Sequence, residues 1–370
     1  MTRPLPNVPL PSWVNLESTL GCNLECVMCG SHLSGVTKNR DVMSDELIAK
    51  IESELLPSAT DVSLTVAGEP FLTPKIARFV ELAENSQSAL QLNTNATLIK
   101  DSDLVRRILR QASVLKISMD GLGDVYESIR VGASFETVRN NVALLVRLRS
   151  ELPRDQRPRL AICMVLMRRN LHQLTGMVDF AQDIGVDRLE VAHLTAFNDE
   201  MEAESCRNAP EETDAALSAA RAHADRLGFR THLPPLMNGT HLEPALSAKI
   251  RLAAKEVREL SPSRLIRLRH TLQKKRRASS WSKKAGGSVP CQFLNDGVFV
   301  TLEGDVAPCP MPGRPIAGNL LKTRFAEIWN GEVLSKMRRG LIEDRPLECC
   351  AHCSQNLARF VPSDERTIRP

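Results

Sequence analysis

From Trp13 onward, short stretches with period-two apolar residues alternate with longer stretches in which apolar residues recur every three or four positions. The short stretches predict strands at 13–20, 62–67, 89–93, 114–119, 160–167 and 188–194. The longer ones predict helices at about 75–84, 101–110, 134–150, 170–184 and 211–227, and another opened by Ser44-Asp45-Glu46, with Leu47, Ile48, Ile51 and Leu55 on its apolar face. The fourth of these helices ends before Gly185 and the fifth before Gly228.

Within the strands the two faces differ. Val14 and Leu16, Val62, Leu64 and Val66, Leu90 and Leu92, and Leu115, Ile117 and Met119 form apolar faces. The opposite faces carry Asn15, Glu17 and Thr19, then Ser63, Thr65 and Glu69, then Gln91, Asn93 and Asn95, then Lys116, Ser118 and Asp120. Strands of a parallel sheet covered on both sides read apolar on both faces. One apolar and one polar face predict helices on one side only and a polar interior on the other. The fold class expected is α/β: an open, partial (β/α)6 TIM-like barrel, with chemistry at the strand C-terminal ends.

The style changes near residue 230. Residues 1–12 read as a Pro-rich lead-in, 13–229 as the barrel, 230–287 as a linker with a basic helical insertion, 288–358 as a small cysteine-rich α+β unit, and 359–370 as a disordered tail. In the small unit, Val298–Leu302 reads as β between turns, and Phe325–Arg338 as a helix. The net charge is +4, but Lys249–Lys284 holds thirteen Lys/Arg against Glu256 and Glu259, so this segment nets +11 and the remainder −7. Its one aromatic, Trp281, gives little for stacked bases, so a solvated helical insertion is expected and nucleic acid is not. No run approaches the roughly eighteen apolar residues a membrane span needs, and Met1–Pro6 has no apolar core of a signal peptide. A cytoplasmic location is the expectation, and there ten cysteines point to metal ligation before disulfides.

Three of them, Cys22, Cys26 and Cys29, lie at C-x3-C-x2-C spacing after the first strand. Three thiolates on one short loop suit a metal centre with one position left open. A structural zinc site wants a fourth ligand nearby, whereas a 4Fe-4S cluster can be held by three cysteines with the fourth iron available. The spacing resembles the signature of the radical S-adenosylmethionine (SAM) enzymes. Further stretches resemble that family in order: Ala67-Gly68-Glu69-Pro70 after strand two, Asn93-Thr94-Asn95 on strand three, and Ser118-Met119-Asp120-Gly121 with Tyr126 and Arg130 after strand four. The resemblance implies that Cys22, Cys26 and Cys29 hold a 4Fe-4S cluster whose open iron takes SAM. It implies that Gly68 and Glu69 hold the methionyl amino group, that Ser118 and Asp120 lie by the ribose, and that Arg130 meets the SAM carboxylate. Asn95 would line the cavity, and Met28 would lie by the adenine. Where the family has a first Gly in its Gly-Gly-Glu motif, this chain has Ala67.

Cys291, Cys309, Cys349, Cys350 and Cys353, with Gly318-Asn319-Leu320 and Ile328-Trp329-Asn330, resemble the SPASM domain in its shortened twitch form. The position where the full pattern has a further cysteine is Arg359, so one auxiliary 4Fe-4S cluster is expected, on Cys291, Cys309, Cys350 and Cys353, with Cys349 as the alternative third ligand. A structural zinc is the competing reading. Cys163 reads as a buried thiol of strand five, and Cys206 has no assigned role. Glu190 and His193, near the end of strand six, are the candidates for contact with substrate.

The function implied is reductive cleavage of SAM to a 5′-deoxyadenosyl radical that takes a hydrogen from substrate, with a two-electron oxidation as the net result. The substrate expected is a small polyhydroxylated metabolite or a ribosomal peptide. The lack of a peptide-binding domain ahead of the barrel favours the former. An external one-electron reductant such as flavodoxin or ferredoxin would be the partner. A redox-neutral epimerase is the variant outcome, and a non-catalytic zinc or nucleic-acid-binding protein is the alternative from another class.

Overall fold

The computed structural model describes residues 8–38, 41–64, 67–237, 291–311, 313–343 and 345–351. The basic segment 249–284, the tail 359–370, the strand positions Thr65 and Val66, and Cys353 lie outside the described residues.

The βα units form in the expected order. They are β1 (Trp13–Leu16), α1 (Gly30–Leu33), α2 (Asp45–Glu54), β2 (Asp61–Ser63), α3 (Ile76–Asn85), β3 (Ala89–Thr94), α4 (Asp103–Gln111), β4 (Ala112–Ser118), α5 (Gly123–Ile129), α6 (Phe135–Ser150), β5 (Arg159–Leu166), α7 (Leu174–Asp183), β6 (Arg188–His193), α8 (Asp199–Ala203), α9 (Pro210–Leu227) and β7 (Thr231–His232). Serine caps start three of the helices: Ser44, Ser102 and Ser134 accept from the backbone N–H of Leu47, Val105 and Thr137. Gly228 closes α9 at φ +64°.

Strands β1 to β7 pair in parallel, in sequence order. Val14, Leu16, Val62, Leu90, Leu92, Leu115 and Ile117 are all buried, in one cluster with Leu47, Ile51, Phe79, Ile108, Val142, Met177 and Leu217 from the helices. The helices therefore cover a single face, as in a barrel wall, and the polar face of each strand turns inward. Seven parallel strands stand where the pattern gave six. The seventh is Thr231–His232, at the start of the stretch read as linker.

The C-terminal unit contains α10 (Gln292–Asp296), β8 (Gly297–Val300), β9 (Asp305–Ala307), β10 (Gly318–Asn319), α11 (Phe325–Trp329), α12 (Glu332–Ile342) and α13 (Glu348–Ala351). It is not a detached module. Strand β8 lies parallel against β1, with Asn15 opposite Phe299 and Leu16 opposite Val300, and extends the same sheet to ten strands. The lead-in is gripped by this unit. Ser12 donates to Asp296 through its N–H (2.8 Å) and its hydroxyl (2.6 Å), and the Trp329 indole donates to the Pro9 carbonyl (2.9 Å). The single helix expected over 325–338 is two, broken at Asn330-Gly331. A side chain at 331 would meet the Glu327 carbonyl at 2.9 Å, so a glycine fits this junction.

Candidate active site

The cysteine loop is fastened by its backbone to the helical turn that follows it and to the end of α5. Cys22 N–H donates to Thr37 O (3.0 Å), Glu25 N–H to Val131 O (2.9 Å) and Val27 N–H to Ile129 O (3.0 Å). The loop thereby runs alongside the 129–131 segment that carries Arg130. The loop after β2 is pressed against its other side. Glu69 N–H donates to Gly21 O (2.8 Å), and Gly68, at φ +68°, leaves no room for a side chain, since a Cβ there would lie 2.6 Å from Gly21 O and 2.7 Å from Thr19 O. Gly68 is thus required by backbone contact alone.

Glu69 is buried, and three donors orient its carboxylate: Thr94 Oγ1 (2.7 Å) and Phe71 N–H (3.2 Å) on one oxygen, Asn95 N–H (2.7 Å) on the other. Burial pushes its pKa up, against these hydrogen bonds. A carboxylate accepts at about four sites, so three bonds leave room for one further donor. The Asn95 amide reaches Asn23 Oδ1 (3.0 Å) and lies 4.0 Å from Cys22 Sγ. Thr94 and Asn23, which the motifs did not single out, are the braces here.

On the far side, Asp120 is fully buried. It accepts from Val165 N–H (2.6 Å) and pairs with Arg130 Nε at 2.7 Å, and Arg130 Nη1 lies 3.8 Å from Cys26 Sγ. Burial pushes Asp120 up against the pull of Arg130. For Arg130, burial opposes the charge but Asp120 and Cys26 outweigh it, and the guanidinium is held charged. Asn170, also missed, anchors this corner by donating to the carbonyls of Asp120 (2.8 Å) and Val165 (2.9 Å). Tyr126 is buried beside them with its hydroxyl unpartnered among the described residues. Ser118 is half-buried at the end of β4, and Met28 packs with Ile129, Met167, Leu194 and Met201.

Burial raises the thiol pKa of Cys22, and that of Cys26 to about 11, with Arg130 pulling the latter down. Neither is in a disulfide. Among the described residues no three Cys, His, Asp or Glu side chains converge closely enough to chelate one bare ion. The donor set itself suits an iron–sulfur cluster. It offers three thiols on one tethered loop, with a guanidinium aimed at Cys26 and an amide at Cys22, the kind of positive and polar surroundings that stabilise ligating sulfur.

A second set of thiols gathers in the C-terminal unit. Cys349 Sγ and Cys350 Sγ lie 4.0 Å apart, and burial first, then Cys349, Cys291 and Cys309, push Cys350 up to about 12. These four thiols are close enough to feel one another's charge. Cys353, the fourth ligand expected with Cys291, Cys309 and Cys350, is outside the described residues.

Glu190 and His193 part company. Three residues apart on one strand, they fall on opposite faces. Glu190 faces the interior, where Lys116 Nζ pairs with Oε2 at 2.8 Å, Arg188 pairs with Oε1, and the Cys163 thiol lies 3.6 Å away. Burial raises Glu190, but the Lys116 and Arg188 partners outweigh it and hold the carboxylate below its usual range. His193 aligns with Leu166 on the helix side, and burial lowers its pKa. Cys163, read as an apolar-strand thiol, sits on the interior face in register with Ser118 and Glu190, its pKa pushed up to about 12 by burial and the neighbouring carboxylate. Further round the wall, Arg314 lies over the Phe299 ring at 4.7 Å, with its Nε buried and unpartnered among the described residues.

Two family models match. The Radical SAM superfamily model covers residues 16–181, and the SPASM iron–sulfur cluster-binding domain covers 291–354. The AdoMet-dependent heme synthase of Methanosarcina barkeri is 25% identical over 340 residues, covering 89% of this chain and 85% of that protein. The PqqA peptide cyclase of Streptomyces rochei is 26% identical over 51% of this chain and 50% of its own length. A tungsten-containing aldehyde ferredoxin oxidoreductase cofactor-modifying protein of Pyrococcus furiosus is 26% identical over 49% and 51%. The chain spans about half the length of these last two relatives. Among solved structures, Streptococcus suis SuiB bound to S-adenosylmethionine matches with a TM-score of 0.60 at 15% identity, covering 94% of this chain and 71% of that one. The anSMEcpe structure with bound AdoMet and the Kp18Cys peptide matches with 0.60 at 18%, covering 94% and 87%. At these identities the structures speak for the fold alone. No helix among the described residues is long and apolar enough to cross a membrane.

Proposed function

The chain belongs to the radical SAM superfamily and carries a C-terminal SPASM domain, and from that premise we propose that it cleaves SAM reductively and couples the resulting radical to a two-electron oxidation of substrate. The observation that carries this reading is the pairing of β8 with β1. It joins the unit holding Cys291, Cys309, Cys349 and Cys350 to the barrel wall beside the Cys22–Cys29 loop, which supports a reading in which one centre would deliver an electron and the second would remove one.

The cofactors are a 4Fe-4S cluster with SAM and the SPASM iron–sulfur centre. When bound, the first cluster supplies the electron that breaks the C5′–S bond of SAM, giving methionine and the 5′-deoxyadenosyl radical. The protein's own part is placement. Glu69, oriented by Thr94, Phe71 and Asn95, offers its remaining acceptor site to the methionyl ammonium. Arg130, with Nε on Asp120 and Nη1 towards Cys26, offers Nη2 to the methionyl carboxylate. Ser118, which ends β4 on the interior face, would lie by the ribose. Because burial raises Glu69, an incoming ammonium both satisfies it and holds it ionised.

Peptides are the favoured substrate class. The relatives include a peptide cyclase, and the solved neighbours include SuiB bound to the precursor peptide SuiA. The reading towards a small metabolite keeps support from the heme synthase, which matches over the larger share of this chain. An external one-electron reductant of the flavodoxin or ferredoxin kind completes the proposal. A redox-neutral epimerisation is the second reading, favoured by the protonated Cys163 thiol on the interior face, a hydrogen donor in register with Ser118.

The experiment is turnover of candidate precursors under dithionite and SAM in D2O. A product two hydrogens lighter supports oxidation. A product about one mass unit heavier, carrying one solvent deuterium at the abstraction site, overturns it in favour of epimerisation.

A further inference from the structure

Lys116, Arg188 and Glu190 form a charged group on β4 and β6 to which no part in holding SAM is assigned. Register places them together. Lys116 aligns with Ala161, and Ala161 with Arg188, in one row across β4, β5 and β6; Ser118, Cys163 and Glu190 form the next row towards the strand C-terminal ends. Ala161 is small and buried, so the Lys116 side chain can cross over β5 to reach Glu190. The group therefore lies on the interior face, beside the row that ends at the proposed ribose contact.

Its charge does not balance. Two cations meet one carboxylate, and the adjacent Cys163 is a neutral thiol. Both Glu190 oxygens are engaged: Oε1 by Arg188, Oε2 by Lys116 with the Cys163 thiol nearby. The one negative charge of Glu190 is thus shared between two cations, and one positive charge is left over. Arg188 uses its Nη2 on Glu190, while its Nε–H is buried and has no acceptor among the described residues. The Nε–H is closed off from an incoming group, but the Lys116 and Arg188 side chains stay 31% and 29% exposed, so their unspent donors face an opening that a second carboxylate could enter.

We propose that Lys116 and Arg188 form a substrate subsite for a carboxylate, with Glu190 holding the two cations apart at a fixed spacing. This rests on the function proposed above, since it names the chemistry of the substrate for that interior. Glu190 is then a positioning residue. The carboxylate comes either from an acidic side chain of a peptide or from a free small acid.

The test is calorimetric titration of the full-length, anaerobically reconstituted protein with SAM present. One arm uses glutarate against its neutral diamide. The other uses the peptide Ala-Glu-Ala-Glu-Ala against its Gln counterpart. Each carboxylate probe that binds should do so at least about tenfold more tightly than its neutral partner. Arg188→Met and Lys116→Met should each weaken it by about tenfold, while Arg188→Lys and Lys116→Arg keep most of the affinity. Binding of the peptide alone identifies a peptide substrate, and binding of glutarate as well identifies a free acid. Equal binding of the neutral probes, wild-type affinity in both methionine variants, or no carboxylate binding up to about 10 mM overturns the subsite. If the variants do not hold iron, the charged-against-neutral comparison in the wild type decides. Titration needs no turnover, so a protein that binds carboxylates without cleaving SAM sinks the proposed function and leaves the subsite standing, and the converse result separates them the other way.

Discussion

Glu69 and Glu190 are both acids of the barrel interior, yet their surroundings drive them in opposite directions. Glu69 has only neutral donors in contact, from Thr94, Asn95 and Phe71, and burial raises it. Glu190 stands between Lys116 and Arg188 and is lowered. The difference divides the interior into two parts. One part, from β1 to β4, is built of hydrogen-bond donors with a spare acceptor, suited to a zwitterion with its own ammonium. The other, towards β5 and β6, has surplus positive charge and suits an anion. On the function proposed above, one sheet would then offer a place for SAM and a chemically distinct place for the carboxylate of its substrate.

The sharpest break of this division comes at the C-terminal thiols. Cys309→Ala should abolish product formation while SAM cleavage persists, with iron content falling by up to half. Parallel assays of 5′-deoxyadenosine, product and iron check it. If cleavage and product are lost together, the two centres are not separable. Next, Asp120→Asn leaves Arg130 buried with its partner neutralised, a loss of about 3–5 kcal/mol when an ion pair is broken on one side. A drop of many degrees in melting temperature, larger than for Lys116→Met, would set the buried SAM-side pair apart from the more open substrate-side one. Gly68→Ala places a Cβ 2.6 Å from Gly21 O at positive φ. It should cost about 2 kcal/mol and detach the Glu69 loop from the cysteine loop, read as weaker SAM binding in an equilibrium titration.

The smallest effect concerns pH. Because the folded state holds Glu190 below the usual carboxylate range, its pairing contributes fully at neutral pH and is lost as pH falls through that lowered value. The melting difference between wild type and Glu190→Gln should therefore be about 1 kcal/mol near pH 7 and shrink towards zero below about pH 4. Glu69 has the opposite sign. Its ionised form is penalised at neutral pH, and protonation as pH falls through its raised value relieves the penalty, so Glu69→Gln should look relatively better at pH 7 than at pH 4. Two variants with the same pH trend would erase the contrast.

The SAM side was legible in the chain because two signals coincide there. The period-two pattern turns Ser63, Asn93 and Ser118 inward, and the loops that follow carry compact motifs around Glu69, Asn95 and Asp120. The substrate side was not. Ala161, Cys163 and Val165 face the interior but are small or apolar, so β5 reads apolar on both faces, and only its register with Glu190 and Ser118 shows which side Cys163 occupies. His193 was grouped with Glu190 by closeness along the chain, although three residues on a strand reverse the face. The joining of β8 to β1 spans almost the whole chain, and no local pattern encodes that partner choice. The braces Asn23, Thr94 and Asn170 are single polar residues whose value lies in what they touch across loops.

The central claim is most directly tested by 5′-deoxyadenosine release from SAM under dithionite, measured for the wild type and for the variant with Cys22, Cys26 and Cys29 all changed to Ala. The wild type should be brown, hold about eight irons and release 5′-deoxyadenosine and methionine in equal amounts, while the variant releases none and keeps the absorption of its C-terminal centre. A variant that cleaves SAM as fast as the wild type, or a colourless wild type holding zinc, would contradict it.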